Sequence, residues 1–498
     1  MDLLIGLDVG TTGTKAIAFD LEGHVVASAT RQYGLLTPES GWVEQNPLEL
    51  WDAVATTLRA VAGQIDPGDR VIALTQSSQG GTTIPVDANF QPTYNAISWM
   101  DGRGEVEQAY IGATFGAERL YRVTGWKLMP ALPLVHLLWL RKNRPEAFER
   151  TRWVTFVNDY IGWHLTGTLG MNPADASITQ FFDIARADWD EELLGLAGIR
   201  RDQVSPVIPS GEVLGRLTAE AAEATDLPAG TLVGVGAHDQ YCAAVGAGAT
   251  RAGSTLLSCG TAWVILAMPP SLEVGLASKM GISCHAVKGR WGGLYSLGAV
   301  GTSMEWLAEN VWGGCERGRP REELFAEIND AVARSDPGAG GLLFFPPAGG
   351  HGEIYGVGRG GFVNLTLPHT RDDMARAVME AVAFELRWAI EEIGRAGVSV
   401  SVLKMVGGAS RSPVWPQIVA DVTCLPVALP AISQAASWGA AILAGVAAGV
   451  YPDPEAGLAA LPRAERRLEP SSDCADTYAR SFEQFRAWSP MITKGVAK

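Results

Sequence analysis

The first nineteen residues, MDLLIGLDVGTTGTKAIAF, constrain the fold more than any other stretch of the chain. An apolar run from Leu3 to Leu7 ends in Asp8. A loop of glycines and threonines follows (Gly10, Thr11, Thr12, Gly13, Thr14), then Lys15, and a second apolar run, Ala16 to Phe19. Two apolar runs around a Gly/Thr turn predict a β-hairpin whose turn presents backbone N–H groups, hydroxyls and an ammonium. Groups of that kind bind phosphate, and an acid at a strand end suits a metal ion bridged to it. The strand–GxxxxGK[ST]–helix loop is excluded, because the chain continues into a strand and the spacing differs. Taken alone, the segment also reads as an ordinary hairpin with a polar turn.

The pattern recurs in the middle of the chain. Ser254–Cys259 reads as a strand, followed by Gly260-Thr261 and a further apolar run, Ala262–Met268. A repeated hairpin predicts two similar α/β domains facing each other across a cleft, with a nucleotide between them. The boundary is expected near Gly246–Gly253, in the glycine-rich GAGATRAG, giving domains 1–246 and 247–498. Elsewhere, Val25–Ala29, Val71–Leu74 and Thr83–Val86 read as strands. Asn46-Pro47 starts a helix to about Ala62, with Leu50, Val54, Leu58 and Val61 at helical spacing. Leu134–Leu140 reads as a helix with a basic end, and the last twenty-odd residues as weakly structured helix at best.

The 498 residues suit two or three domains. A hydrophobic content of 47% with 19% charged residues is that of an ordinary globular protein. The net charge of −15 argues against nucleic acid or an anionic membrane as partner, so positive charge for an anionic ligand must be local. Cys242, Cys259, Cys284, Cys315, Cys424 and Cys474 are scattered with no CxxC pair. That suits a reducing compartment and neither a disulfide framework nor a zinc site. The start lacks a basic region and an apolar core of signal-peptide type, and Ala435–Val450 is too short to span a bilayer. A cytoplasmic location is expected.

Three further segments carry chemistry. In Gly234–Gly248, an apolar strand delivers Asp239 into a glycine-rich context, where a carboxylate can take a proton from a hydroxyl. His238 and Gln240 flank it and are placed to orient a substrate. The alternative is that Asp239 only caps the next helix. In Val406–Val427, paired glycines and small polar residues lead from a strand into a helix, letting the backbone approach a flat ring or ribose. The alternative is a plain strand-to-helix turn. In Gln76–Arg103, Gln79, Gly80, Gly81 and Thr82 precede Trp99, Asp101 and Arg103. Polar groups beside an aromatic suit a polyhydroxy ligand; the alternative is a loop braced by a Trp and an Asp–Arg pair.

Together these segments resemble the FGGY carbohydrate kinases, along nearly the whole chain and in order. LIGLDVGTTGTK looks like the first phosphate motif of that family, WMDGR like its WxDxR segment and VNDYIGWHLTG like its DYxxxxLTG. DWDEELLGLAGI resembles the stretch that usually follows. SCGTAWV resembles the second phosphate motif, GGASRSPVWPQIVADV the adenosine motif, and SWGAAILAG the helix near the family's C-terminal end. The resemblance implies two ribonuclease H-like domains of the actin and hexokinase type, with ATP and Mg2+ in the cleft. It also implies transfer of the γ-phosphoryl group of ATP to a sugar or polyol hydroxyl. By position, Asp239 matches the catalytic base and Gln240 a substrate contact. Asp8 matches the acid near the magnesium, with Thr11, Thr12 and Lys15 around the phosphates. Gly260 and Thr261 match the second phosphate loop, Gly301 and Glu305 the nucleotide-side helix, and Gly408, Ala409 and Ser412 the adenosine side. Homodimers are common in the family.

The chain departs from the family where substrate is read. After the glutamine matched by Gln79, glycerol kinase has Arg-Glu and xylulokinase Met-His; here Gly80-Gly81 follow. Either the pocket is roomier or the space is filled from elsewhere. His136 stands where a lysine is usual, Asn364 where a glycine is usual, and His351–Tyr355 replaces the family's GERxP loop. The phosphate machinery is untouched. A ketopentose such as xylulose or ribulose is the expected acceptor. A polyol kinase acting on erythritol or another alditol, less so on glycerol, stays open, as does a catalytically silent ATP and sugar sensor.

Overall fold

Residues 1–313, 319–347, 360–461 and 465–494 are described by a computed structural model. His351–Tyr355 and Cys315 lie outside the described residues. The chain forms two units. One takes in Met1–Thr250, Ser271–Gly293 and Gln434–Arg463; the other takes in Arg251–Pro270, Leu294–Ser433 and Ala464–Lys498.

In the first unit the opening hairpin is formed as expected. Strand β1 (Asp2–Val9) pairs antiparallel with β2 (Gly13–Asp20), and the register sets Asp8 opposite Lys15. β2 continues antiparallel to β3 (Val25–Gln32). On its other edge β1 pairs in parallel with the Arg70–Ser78 strand, which extends four residues beyond the expected Leu74. Helix α1 (Pro47–Ala62) is capped by Asn46, whose side chain accepts the Leu48 N–H. Its buried residues Leu50, Val54, Leu58 and Val61 share one core with Leu3, Ile5, Leu7 and Val9 of β1. Alternation along the strand turns Gly6 to the opposite face.

That face is covered by the Ala435–Ala447 helix, and the approach is unusually close. A Cβ on Gly6 would lie 1.7 Å from the carbonyl oxygen of Ser437. The same helix meets the Asp239–Ala247 helix at two further glycines: a Cβ on Gly439 would lie 1.8 Å from the Cys242 oxygen, and one on Gly246 2.0 Å from the Ala435 oxygen. These contacts are why SWGAAILAG belongs to the first unit although it lies far along the sequence. Both faces of β1 are thus buried, which explains its unbroken apolar run.

The second unit repeats the topology. The Gly253–Cys259 strand pairs antiparallel with Trp263–Ala267 and parallel with Val400–Gly407, as β1 does with β2 and Arg70–Ser78. The Val427–Leu429 strand follows in parallel. Arg371–Arg395 is a long helix with a Thr370/Asp373 capping box. Within it the buried Arg376 pairs with Glu380 at 2.8 Å and donates to the carbonyls of Val332 and Ser335 and to the Tyr478 hydroxyl. Tyr478 belongs to the Ala475–Lys494 helix, which is not weakly structured. Its Tyr478, Phe482 and Phe485 are buried, and Phe485 stacks on Phe345 with ring centroids 4.6 Å apart. Single aromatics at helical spacing in a charged stretch gave too faint a pattern for the sequence to reveal that docking. Among the described residues, no helix is long and apolar enough to cross a membrane.

Because backbone atoms face Gly439 directly, the neighbours cannot yield to an added methyl. Gly439→Ala is expected to lower the unfolding free energy by about 1–3 kcal/mol, as overpacking does, measured by urea denaturation.

Candidate functional site

From Gly10 to Gly13, the turn between β1 and β2 and the first residue of β2, all four carbonyls accept from protein donors. The Gly10 oxygen accepts from the Tyr33 hydroxyl and from Gln79 Nε2, the latter at 3.2 Å. The Thr11 oxygen accepts from Gln45 Nε2 at 2.7 Å and the Thr12 oxygen from the Tyr33 N–H at 3.1 Å. The Gly13 oxygen accepts from the Gly10 N–H and the Tyr33 hydroxyl. Among the described residues, the Thr11 and Thr12 N–H groups have no acceptor, so the turn offers donors outward. Asp8, Thr11, Thr12 and Lys15 line a cavity of about 230 Å³ here. Asp8 accepts a hydrogen bond from Ser77 Oγ at 2.7 Å. Burial, with a contribution from the charge of Asp239, pushes its carboxyl up to about 6 against the opposing pull of Ser77 and Lys15.

Asp239 is the first residue of the Asp239–Ala247 helix. The two-residue strand Ala237–His238 delivers it by pairing with Ser77 and Ser78 at the end of Arg70–Ser78. The capping role falls to His238, whose Nδ1 accepts the Gln240 N–H at 3.3 Å. The carboxylate of Asp239, 34% exposed, lies 3.2 Å from that same Nδ1. Beside it stands Asp175, which sequence reasoning missed. Its Oδ2 accepts from Asn172 Nδ2 at 2.7 Å, whereas its buried Oδ1 has no partner. Burial foremost, then the nearby charge of Asp239, holds the Asp175 carboxyl well above the usual carboxylate range. The only sequence signal was the Asn172-x-x-Asp175 spacing of a helix cap. Gln240 Oε1 is also buried without a partner.

Gly80 and Gly81 do not open a larger pocket. A Cβ on Gly80 would lie 2.2 Å from His238 Cδ2, so the imidazole fills that space. Gly81 has φ of +76° and abuts Trp99. Gln79 is buried and braces the Gly10–Gly13 turn through its bonds to Gly10 and Gln45. Asp101 and Arg103, read from the sequence either as substrate contacts or as a brace, have fully buried side chains paired at 2.7 Å. Arg103 also pairs with Glu44 at 2.8 Å and lies over the rings of Trp42 and Trp139 at 4.1 and 4.6 Å. These contacts favour the reading of the segment as a loop brace: the guanidinium N–H groups are taken by Asp101, Glu44 and the Tyr94 hydroxyl, beside two indoles that meet edge to face. Trp99 remains 45% exposed, its Nε1 donating to Thr11 Oγ1 at 3.0 Å. His136 is buried against the Thr83 hydroxyl, and burial pushes it down to about 3, so it stays neutral. Asn364 adopts φ of +65°, a conformation a glycine would take without strain.

In the second unit Gly260, Thr261, Gly301, Glu305, Gly408, Ala409 and Ser412 line one cavity of about 640 Å³. Glycines bring its walls together: a Cβ on Gly301 would lie 2.3 Å from the Gly260 oxygen, and Gly407, at φ +94°, abuts the Cys259 carbonyl. Trp263, Phe325, Asn329, Arg411 and Trp415 also line it and were not foreseen. Ser412 Oγ donates to Asn329 Oδ1 at 2.7 Å, which leaves the Asn329 amide N–H groups for a ligand. Glu305 pairs with Arg321. An aromatic-walled cavity with an amide donor suits a nucleobase and ribose.

A donor-lined turn beside paired acids, together with a separate base-sized cavity on a repeated topology, defines a phosphotransferase acting on an alcohol. The chain matches the FGGY family of carbohydrate kinases, its N-terminal domain over residues 3–246 and its C-terminal domain over 256–448, and it belongs to that family. It is a carbohydrate kinase. It is 28% identical over 492 residues to the xylulose kinase of Staphylococcus epidermidis, covering 98% of this chain and 96% of that one. It is 29% identical over 505 residues to the autoinducer-2 kinase of Salmonella typhimurium, covering 97% and 93%. The crystal structure of xylulose kinase from Rhodospirillum rubrum superposes with a TM-score of 0.87 at 30% identity, covering 98% of each chain.

Two expectations follow from the electrostatics. In the folded chain Asp8 titrates at about 6 against 3.8 ordinarily. The folded state therefore holds the extra proton, and stability is lost as pH rises through that window, by roughly 3 kcal/mol at most. Asp8→Asn should melt a few degrees higher than the wild type at pH 8, with the gap closing below about pH 4, while losing kinase activity; calorimetry and a coupled assay read both. Arg103→Met leaves Asp101 and Glu44 as buried unpaired charges, so it should cost about 3–5 kcal/mol in denaturant unfolding. At low temperature its acceptor KM should stay within about two-fold of wild type, since Arg103 is a brace.

Proposed function

We propose that this chain is an ATP-dependent ketopentose kinase, with xylulose as the leading acceptor. The observation that carries the reading is the placing of two carboxylates, Asp8 and Asp239, within reach of each other's charge beside the donor-lined turn. Similarity to xylulose kinases over almost the whole chain supports the acceptor.

In this reading Asp239 takes the proton of the acceptor hydroxyl as its oxygen attacks the γ-phosphorus. The bond from that phosphorus to its bridging oxygen breaks, and ADP leaves. Such transfers need positioning and charge neutralisation more than covalent help. Thr11, Thr12 and Lys15 supply donors to the phosphates, and the Gly408–Ser412 side of the second cavity holds adenosine. The carboxylate of Asp8 and the threonine hydroxyls that line the same cavity fit Mg2+, which prefers carboxylate, phosphate and water oxygens. Asp8 would hold the ion, which neutralises phosphate charge when bound.

The test is an ADP-release assay with ketopentoses, ketohexoses, alditols, glycerol, aldonates and the acceptor of the autoinducer-2 kinases. A ketopentose should give the highest kcat/KM; a clear preference for another class would overturn the acceptor. Asp239→Asn should lower kcat by roughly 10²–10⁴-fold with ATP binding kept in calorimetry. Retained turnover would remove Asp239 from the role of base.

A further inference from the structure

Two chain positions exchange space beside Asp239. Position 80 has no side chain, and the point where its Cβ would sit is 2.8 Å from His238 Nε2 and 3.2 Å from Asp175 Oδ1. His238 Nδ1 lies 3.3 Å from the Gln240 nitrogen and 3.2 Å from the Asp239 carboxylate; in the tautomer in which Nδ1 accepts the Gln240 N–H, the proton of the neutral ring is on Nε2. Burial favours that neutral ring. Among the described residues, His238 Nε2 has no partner; Asp175 Oδ1 and Gln240 Oε1 are buried without one. Unpaired buried polar atoms are costly and call for a partner. His238 Nε2 and Asp175 Oδ1 both border position 80, and one hydroxyl can serve two such atoms, since its oxygen can accept from the first and donate to the second.

We propose that His238 is the specificity-determining residue for the acceptor: its Nε2–H donates to a second hydroxyl of the sugar, neighbouring the one phosphorylated, and Asp175 and Gln240 accept hydroxyl protons around it. Residue 238 thereby does the reading that the missing side chain at position 80 does not. The acceptor class is a polyhydroxy chain, and a lone alcohol is rejected because it leaves His238 and Asp175 unpaired. The inference rests on the kinase reading above and names what selects the sugar within that site.

The test is a mutant cycle of Gly80→Ala and His238→Gly, assayed for the KM of acceptor and of ATP with the panel's best acceptor. His238→Gly should raise acceptor KM about ten-fold, the worth of one hydrogen bond, with ATP KM within two-fold. Gly80→Ala should do the same, because its Cβ displaces the imidazole. In the His238→Gly background, Gly80→Ala should add less than two-fold. Equal effects of Gly80→Ala in both backgrounds, or an unchanged acceptor KM in His238→Gly, would overturn the proposal. If Gly80→Ala does not fold, His238→Gln decides instead, since its amide donor should recover most of the loss and failure to do so counts against the proposal. A wild type that prefers an alditol ends the ketopentose reading and leaves this test intact. A wild type that phosphorylates no polyhydroxy acceptor ends both.

Discussion

Backbone-to-backbone contact at three glycines fixes the geometry on which the first unit depends. Gly6 of β1, Gly246 of the Asp239–Ala247 helix and Gly439 of the Ala435–Ala447 helix each leave room for a carbonyl oxygen where a Cβ would stand. The late helix therefore touches both the strand that carries Asp8 and the helix that begins with Asp239. Contacts between main chains have no rotamers to relax into, so the two carboxylates are held by the stiffest kind of packing available. Gly236, whose Cβ would lie 1.6 Å from the Gln76 oxygen, presses the approach to Asp239 onto the Arg70–Ser78 strand in the same way.

That rigidity is used to hold groups that repel each other. Asp8, Asp175 and Asp239 gather at the end of one sheet, where Lys15 is the cation facing Asp8. Burial and mutual charge raise Asp8 and Asp175, so the ligand-free site carries an electrostatic cost. The hydrogen bonds from Ser77 to Asp8 and from Asn172 to Asp175 offset part of it. The turn beside them is prepared in the opposite sense, its carbonyls tied to Tyr33, Gln45 and Gln79 and its free N–H groups turned outward.

Much of this was legible in residue order. The hairpin at Asp8, its repeat at Gly260-Thr261 and the helix from Pro47 follow from local patterns of apolar runs, glycines and caps, which act within a few residues. The Gly80-Gly81 gap was visible too, but not its filling, since nothing in sequence joins residue 80 to residue 238. The choice between the two readings of Asp101 and Arg103 was hidden for the same reason: a WxDxR segment shows polar groups near an aromatic, not that Glu44 pairs with Arg103 or that Trp42 and Trp139 lie against it. Asp175 was missed because its one local signature is that of a helix cap.

The sequence by itself determined the chemistry on offer and the repeated α/β plan, because strand period, turn glycines and acids at strand ends are local properties. Only the tertiary structure decided which polar residues face a ligand and which face each other. That choice is made by burial, which depends on segments hundreds of residues apart, such as Gln434–Arg463 against β1, meeting at places where a missing Cβ lets them touch.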